Sequence, residues 1–314
     1  MNMDIEIKNL KVEFPTKEGI VRAVDNITLK ITMGKVLGLI GETGSGKSVL
    51  GLSILGLLPS NATISGKILY KNTNLLSLDS VRNLRGVDIA LIPQNPGTAL
   101  NPIMKVGKQI CERENYNKNT SKTKVFNLLK KLFLFNPSKV ANSYPFELSG
   151  GMKQRVLASM GIYCNPNWII ADEPTKGLDA IVRNQVYETL HKITNTRNCG
   201  MLLITHDLML SKNLCDNIAV MYAGDIVEIG KAFNVLEDCK HPYTKGLVFS
   251  QPHKGLKPMM GSSPSLINPP KGCKFAPRCP NKMPICSLKK PDFYTLENGS
   301  KVRCFLFDKS KQPN

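Results

Sequence analysis

The chain has 314 residues, 42% apolar and 21% charged, a balance that excludes a disordered polymer and allows one large or two smaller buried cores. Its longest apolar stretch, residues 49–59, is far short of the roughly 20 residues that span a bilayer. The net charge of +18 is uneven: residues 240–314 hold 14 Lys/Arg against 3 Asp/Glu, a tail that suits nucleic acid, an anionic membrane surface or an acidic partner, or is simply a solvated lysine-rich face.

Residues 1–8 alternate charged and apolar positions, so no leader is expected, and the chain is read as neither secreted nor membrane-spanning. Alternation continues over residues 4–14 and returns at 21–31 after Lys17-Glu18-Gly19, which predicts a hairpin. Phe14, 27 residues before Gly41, is read either as an adenine-stacking aromatic or as a core phenylalanine. Residues 35–40 form an apolar run of strand length, followed by Gly41-Glu42-Thr43-Gly44-Ser45-Gly46-Lys47-Ser48. This fits G-x-x-x-x-G-K-[ST], the loop that wraps nucleotide phosphates. Gly41, Gly44 and Gly46 allow positive φ and bring backbone N–H groups, including that of Ser45, close to phosphate oxygens. Lys47 supplies a point charge for the outer phosphates, and the Ser48 hydroxyl a ligand for Mg²⁺. A helix over 49–58, opened by Val49, points its N-terminus at the anion.

Further strands are predicted at 64–70 and at 87–93, the second ending on Gln94. Residues 106–144 read as mostly helical. Within them, 124–135 places apolar residues at helical spacing between lysines, as in a packed helix or one lying on a membrane. Leu148-Ser149-Gly150-Gly151-Met152-Lys153-Gln154-Arg155 opens a helical run to Cys164. Residues 167–173 form a buried strand ending in Asp172 and Glu173, and 201–207 another ending in Thr205-His206-Asp207. Both deliver polar groups at strand carboxyl ends, where open α/β sheets bind ligands. No repeat of 20–50 residues is present.

Cys111, Cys164, Cys199, Cys215 and Cys239 are scattered and read as small core residues in a reducing compartment. Cys273, Cys279, Cys286 and Cys304, spaced C-x5-C-x6-C-x17-C, suit zinc or an iron–sulfur cluster, a disulfide pair, or a small thiol-packed core.

In their order these motifs closely resemble the ATP-binding cassette (ABC) ATPases over about residues 4–240, with 148–155 similar to the cassette signature. The resemblance implies an α/β fold: a P-loop NTPase (RecA-like) core with an antiparallel β subdomain and an α-helical signature subdomain at about 95–165. The ATPase domain is expected at 1–240 and a small cysteine-containing C-terminal extension at 241–314. Carried over residue by residue, Asp172 holds Mg²⁺ with Ser48 and Gln94, Glu173 is the general base for the attacking water, and His206 contacts the γ-phosphate. Gln94 also links the site to a membrane partner. Ser149, Gly150 and Gly151 cap the ATP of a second subunit, and Asp179 sits in the loop crossing that interface. Lys176 and Gly177 stand where the family carries small residues, which puts the coupling between sites in question.

The segment Ile92-Pro-Gln-Asn-Pro-Gly-Thr-Ala-Leu-Asn-Pro102, the run Lys240-His-Pro-Tyr-Thr-Lys-Gly-Leu247 and the cysteine tail are similar to those of oligopeptide, dipeptide and nickel importer ATPases. This implies an ATP- and Mg²⁺-dependent importer motor at the cytoplasmic face of the membrane. Its partners are a second ABC ATPase (a paralogue or a second copy), two separate permease subunits and, indirectly, an extracytoplasmic solute-binding protein. Peptides are the expected cargo, nickel or a metal chelate the alternative. Some proteins with this extension carry a [4Fe–4S] cluster, so the resemblance favours a cluster on the four tail cysteines. A nucleic-acid-linked cassette ATPase is the rival suggested by charge. It asks for two cassettes or long insertions, and this chain has one cassette with none, so no nucleic-acid partner is expected.

Overall fold

The computed structural model describes residues 3–114, 116, 118–251 and 254–308. Asn115 and Asn117 of the expected helical stretch, and the two ends of the expected domains at 1–2 and 309–314, lie outside the described residues. In chain order the strands are β1 (Ile5–Thr16), β2 (Gly19–Ile31), β3 (Val36–Ile40), β4 (Thr63–Tyr70), β5 (Thr73–Asn74), β6 (Ile89–Ile92), β7 (Trp168–Asp172), β8 (Gly200–Ile204), β9 (Asn217–Tyr222), β10 (Asp225–Lys231), β11 (Tyr294–Thr295) and β12 (Lys301–Val302). The chain divides into two units: residues 1–31, 37–80 and 205–314, and residues 32–36 and 81–204.

In the first unit the alternating sequence of β1 and β2 becomes an antiparallel hairpin, with Val12 opposite Val24 and Thr16 opposite Gly19. It extends into a sheet of order β2-β1-β4-β5. β3 is buried along its whole length, as befits a parallel strand covered on both faces, and runs parallel to β9 with Leu37 opposite Asn217. β10 pairs antiparallel with β9, and β12 and β11 follow. The helix after β3 spans Lys47–Ile54, shorter than the 49–58 read from apolar residues. Leu55 caps it and Gly56 turns away at φ 59°, so Leu57 and Leu58 leave the helix.

In the second unit β6, β7 and β8 run parallel, Ile89 opposite Trp168 and Trp168 opposite Gly200. Gly200 is required by packing: a Cβ there would lie 2.4 Å from the Trp168 ring. The strand expected at 87–93 is confined to β6. The helical stretch resolves into helices Val106–Ile110, Asn119–Lys131 and Pro137–Asn142, followed by Gly150–Tyr163. The helix read at 124–135 starts earlier and stops at Lys131, because Phe133 takes a left-handed backbone at φ 58° and Phe135 is 84% exposed. Its apolar face, Val125 and Leu129, is buried with Val106, Ile110, Val156 and Leu157, which identifies a packed helix rather than one lying on lipid. No helix among the described residues is long and apolar enough to cross a membrane.

Candidate nucleotide site

Each unit carries its own share of the chemistry. In the first, β3 runs directly into the glycine loop. Gly41, Gly44 and Gly46 have φ of 152°, 80° and 100°. A Cβ at Gly41 would lie 2.1 Å from the Met221 carbonyl and one at Gly46 2.1 Å from that of Ala23, so these two turns admit glycine alone. Gly46 caps the helix Lys47–Ile54, and the Lys47 ammonium donates to the Gly41 and Glu42 carbonyls at 2.9 and 2.7 Å. Lys47 is buried beside Ser45, with Ser48 half-buried in the first helical turn. The result is a glycine-built turn with one cation at a helix N-terminus, an arrangement of the kind that suits an anion. Thr205 and His206 follow β8; His206 is exposed, and the Asp207 carboxylate caps the next helix by accepting from Leu210 N–H at 3.1 Å. Phe14 lies half-buried on β1 opposite Val21.

In the second unit β7 ends on Asp172, with Glu173 immediately after it; both are half-buried. Glu173 has φ 48°, a left-handed backbone unusual for a glutamate, held by its N–H donating to the Ile204 carbonyl at 2.8 Å. Gln94 stands half-buried two residues beyond β6. The signature opens the helix Gly150–Tyr163: Ser149 is its N-cap, accepting from Met152 N–H at 3.3 Å, and Ser149 and Gly150 are exposed. Arg155 fastens this helix by donating to the Phe133 carbonyl at 2.6 Å. Asp179 is exposed and caps the helix Ala180–Arg197 by accepting from Val182 N–H at 3.0 Å. Asp172 and Ser48 offer oxygen ligands of the kind a hard cation such as Mg²⁺ takes.

Sequence reasoning missed the groups that close on Glu42, the second residue of the loop. Its N–H donates to the Tyr243 hydroxyl at 2.8 Å. Its carboxylate receives both Arg278 Nη1 and Nη2, at 3.0 and 3.1 Å, and the Ser263 hydroxyl at 2.5 Å. Burial opposes ionisation of Glu42, but the hydrogen bonds from Arg278 and Ser263 and the charges of Arg278 and Lys47 outweigh it and hold the carboxyl below its usual range. The only available signal was Arg278 standing inside the Cys273–Cys279 spacing, and no periodicity links it to position 42.

All nine cysteines are free. Of the scattered five, Cys111, Cys199, Cys215 and Cys239 are buried, and burial pushes the Cys215 thiol up to about 12. In the tail burial, then the neighbouring thiols, raise Cys304 to about 12, and burial, then Cys286 and Cys279, raise Cys273 to about 11. These donors fit zinc or an iron–sulfur cluster in kind. Their arrangement does not, because no group of three or more His, Cys, Asp or Glu among the described residues is set to hold a metal.

With this geometry in place, comparison with known proteins gives a consistent result. The ABC transporter family pattern matches residues 24–176, and the oligopeptide/dipeptide transporter C-terminal region matches 227–286. The dipeptide transport ATP-binding protein DppD of Bacillus subtilis (strain 168) is 38% identical over 98% of this chain and 96% of its own. The oligopeptide transport ATP-binding protein OppD of Escherichia coli (strain K12) is 38% identical over 91% of this chain and 88% of its own. Among solved structures, the dimeric ATP-binding cassette MJ0796 in a post-hydrolysis state bound to ADP and Pi is 25% identical with a TM-score of 0.66, covering 73% of this chain and 98% of that one. The chain belongs to the ABC transporter family as an ATP-binding, ATP-hydrolysing subunit.

Proposed function

We propose that this chain is the ATPase of a peptide importer, working as a dimer with a second ABC ATPase on two separate permease chains at the cytoplasmic face of the membrane. The observation that carries the cargo is the oligopeptide/dipeptide C-terminal region at 227–286, joined to similarity along almost the whole chain to a protein named for dipeptide transport. In this reading the arc at Gly41, Gly44, Ser45, Gly46, Lys47, Ser48 and Val49 binds the triphosphate, and Phe14 meets the base. Ser48, Gln94 and Asp172 would hold Mg²⁺, which would supply charge neutralisation at the phosphates. Glu173 takes a proton from the attacking water and His206 holds the γ-phosphate in line. Ser149, Gly150, Gly151 and Asp179 serve the nucleotide of the other subunit, for which an exposed helix N-terminus is suited. A [4Fe–4S] cluster on Cys273, Cys279, Cys286 and Cys304 is the finer reading of the tail. It rests on the cysteine spacing alone and requires those side chains to draw together.

The reading is tested in the cell that makes this chain. Lys47→Ala is expected to abolish uptake of labelled di- and oligopeptides while Ni²⁺ uptake continues. Retained peptide uptake with lost Ni²⁺ uptake would transfer the cargo to nickel.

A further inference from the structure

Arg278 lies 236 residues from Glu42 in sequence, yet the contact is built from several sides. The guanidinium is 6% exposed and the carboxylate 27%. Beyond its bidentate grip, Arg278 donates Nε–H to the Met260 carbonyl at 3.1 Å and Nη1 to the Tyr222 hydroxyl at 3.3 Å, and it lies over the Tyr222 and Phe275 rings. The stretch that carries it is pinned down nearby. Lys274 is buried, bonds the Ala223 carbonyl at 2.8 Å and pairs with Asp25 at 2.9 Å and Asp225 at 3.4 Å; Lys290 joins the same two carboxylates. Phe275 packs against Tyr222 and Tyr243, with ring centroids 5.3 and 5.5 Å away. Tyr243 in turn takes the Glu42 N–H. One loop residue is thus held by its backbone and by its side chain, both from the C-terminal segment.

Two physical consequences follow. A phosphate loop works because its N–H groups are fixed before the anion arrives, and a loop held at Glu42 loses less entropy on binding. A carboxylate beside a triphosphate also repels it unless its charge is offset. Arg278 does both: it fixes the loop and neutralises Glu42.

We infer that Arg278, assisted by Tyr243 and Ser263, is a positioning residue for the nucleotide site, making the C-terminal segment a working part of the phosphate loop rather than an appendage. This rests on the reading of 41–48 as an ATP-binding loop. It predicts a change in nucleotide affinity that a merely structural staple would not give, because the defect of Arg278→Ala is repaired by removing the charge it left exposed.

The experiment measures equilibrium binding of a fluorescent, non-hydrolysable ATP analogue with Mg²⁺ to the full chain. Arg278→Ala is expected to bind about tenfold more weakly than wild type, and Arg278→Ala combined with Glu42→Gln to return to within about threefold of it. In turnover the single variant is expected to raise KM more than it lowers kcat. Should Arg278→Ala not fold, Arg278→Lys keeps the charge without the bidentate geometry and is expected to show a smaller loss that Glu42→Gln does not repair. Wild-type affinity in both Arg278 variants, or no repair of Arg278→Ala by Glu42→Gln, overturns the clamp while leaving the ATP reading intact. Failure of wild type itself to bind the analogue overturns both.

Discussion

At the scale of single residues, the Lys240-His-Pro-Tyr run shows how burial turns ordinary side chains into fixed parts. His241 is fully buried; its Nδ1 accepts from Tyr243 N–H at 3.0 Å and caps the helix Pro242–Phe249. Buried Glu228 accepts the backbone N–H groups of Lys240 and His241 at 2.8 and 2.9 Å. Burial drives His241 from its ordinary 6.5 down to about 3, so the folded chain favours the neutral ring. Because the folded value lies below the unfolded one, the stabilisation is complete above pH 6.5 and is lost as pH falls towards 3. At pH 5 the loss amounts to about 2 kcal/mol. Burial raises Glu228, which acts in the opposite sense, so the test is a comparison. Unfolding of wild type from pH 7 to 5 should weaken more steeply than that of His241→Asn, which keeps a capping oxygen and does not titrate. Equal slopes would show that His241 is not the titrating group. The role of His241 was not legible beforehand; the glycine turn before the helix Lys47–Ile54 was, because it is written in eight consecutive residues.

Elements were legible where periodicity spoke for them and blurred where backbone exceptions ended them. β1, β2 and β7 fell within one or two residues of the alternation or apolar run that predicted them. The helix Asn119–Lys131 was displaced because the apolar Leu132-Phe133-Leu134-Phe135 run continues the pattern through a left-handed turn that composition does not reveal. In the tail the spacing of four cysteines was visible, but not that Lys274, Phe275 and Arg278 between two of them reach Asp25, Tyr222 and Glu42. The cluster reading belongs to this element. Protein purified without oxygen should carry iron and acid-labile sulfide with a brown absorbance at roughly 400 nm. Colourless protein lacking both iron and zinc would leave the cysteines as a small thiol core around Ala276 and Phe305.

At the scale of the whole molecule, the signature and the phosphate loop are proposed to serve different ATP molecules, which makes the dimer the catalytic species. Glu173→Gln should leave ATP bound and unhydrolysed, so gel filtration with MgATP is expected to show a stable dimer. A monomer that still turns over normally would refute the composite site. Inside the fold Lys274, Lys290 and Arg278 neutralise Asp25, Asp225 and Glu42, so the net charge of +18 lies on other residues.

The unit that carries the phosphate loop is assembled from both ends of the chain, residues 1–80 less a short strip and residues 205–314. A ribosome delivers these ends at different times, with the whole of 81–204 emerging in between. While Glu42 is already outside the exit tunnel, β9, Tyr243 and Arg278 have not been made, so β3 lacks β9 and the loop its hold. In the intervening stretch β6, β7 and β8 pair with one another. The loop at 41–48 is thus made well before the residues that hold it.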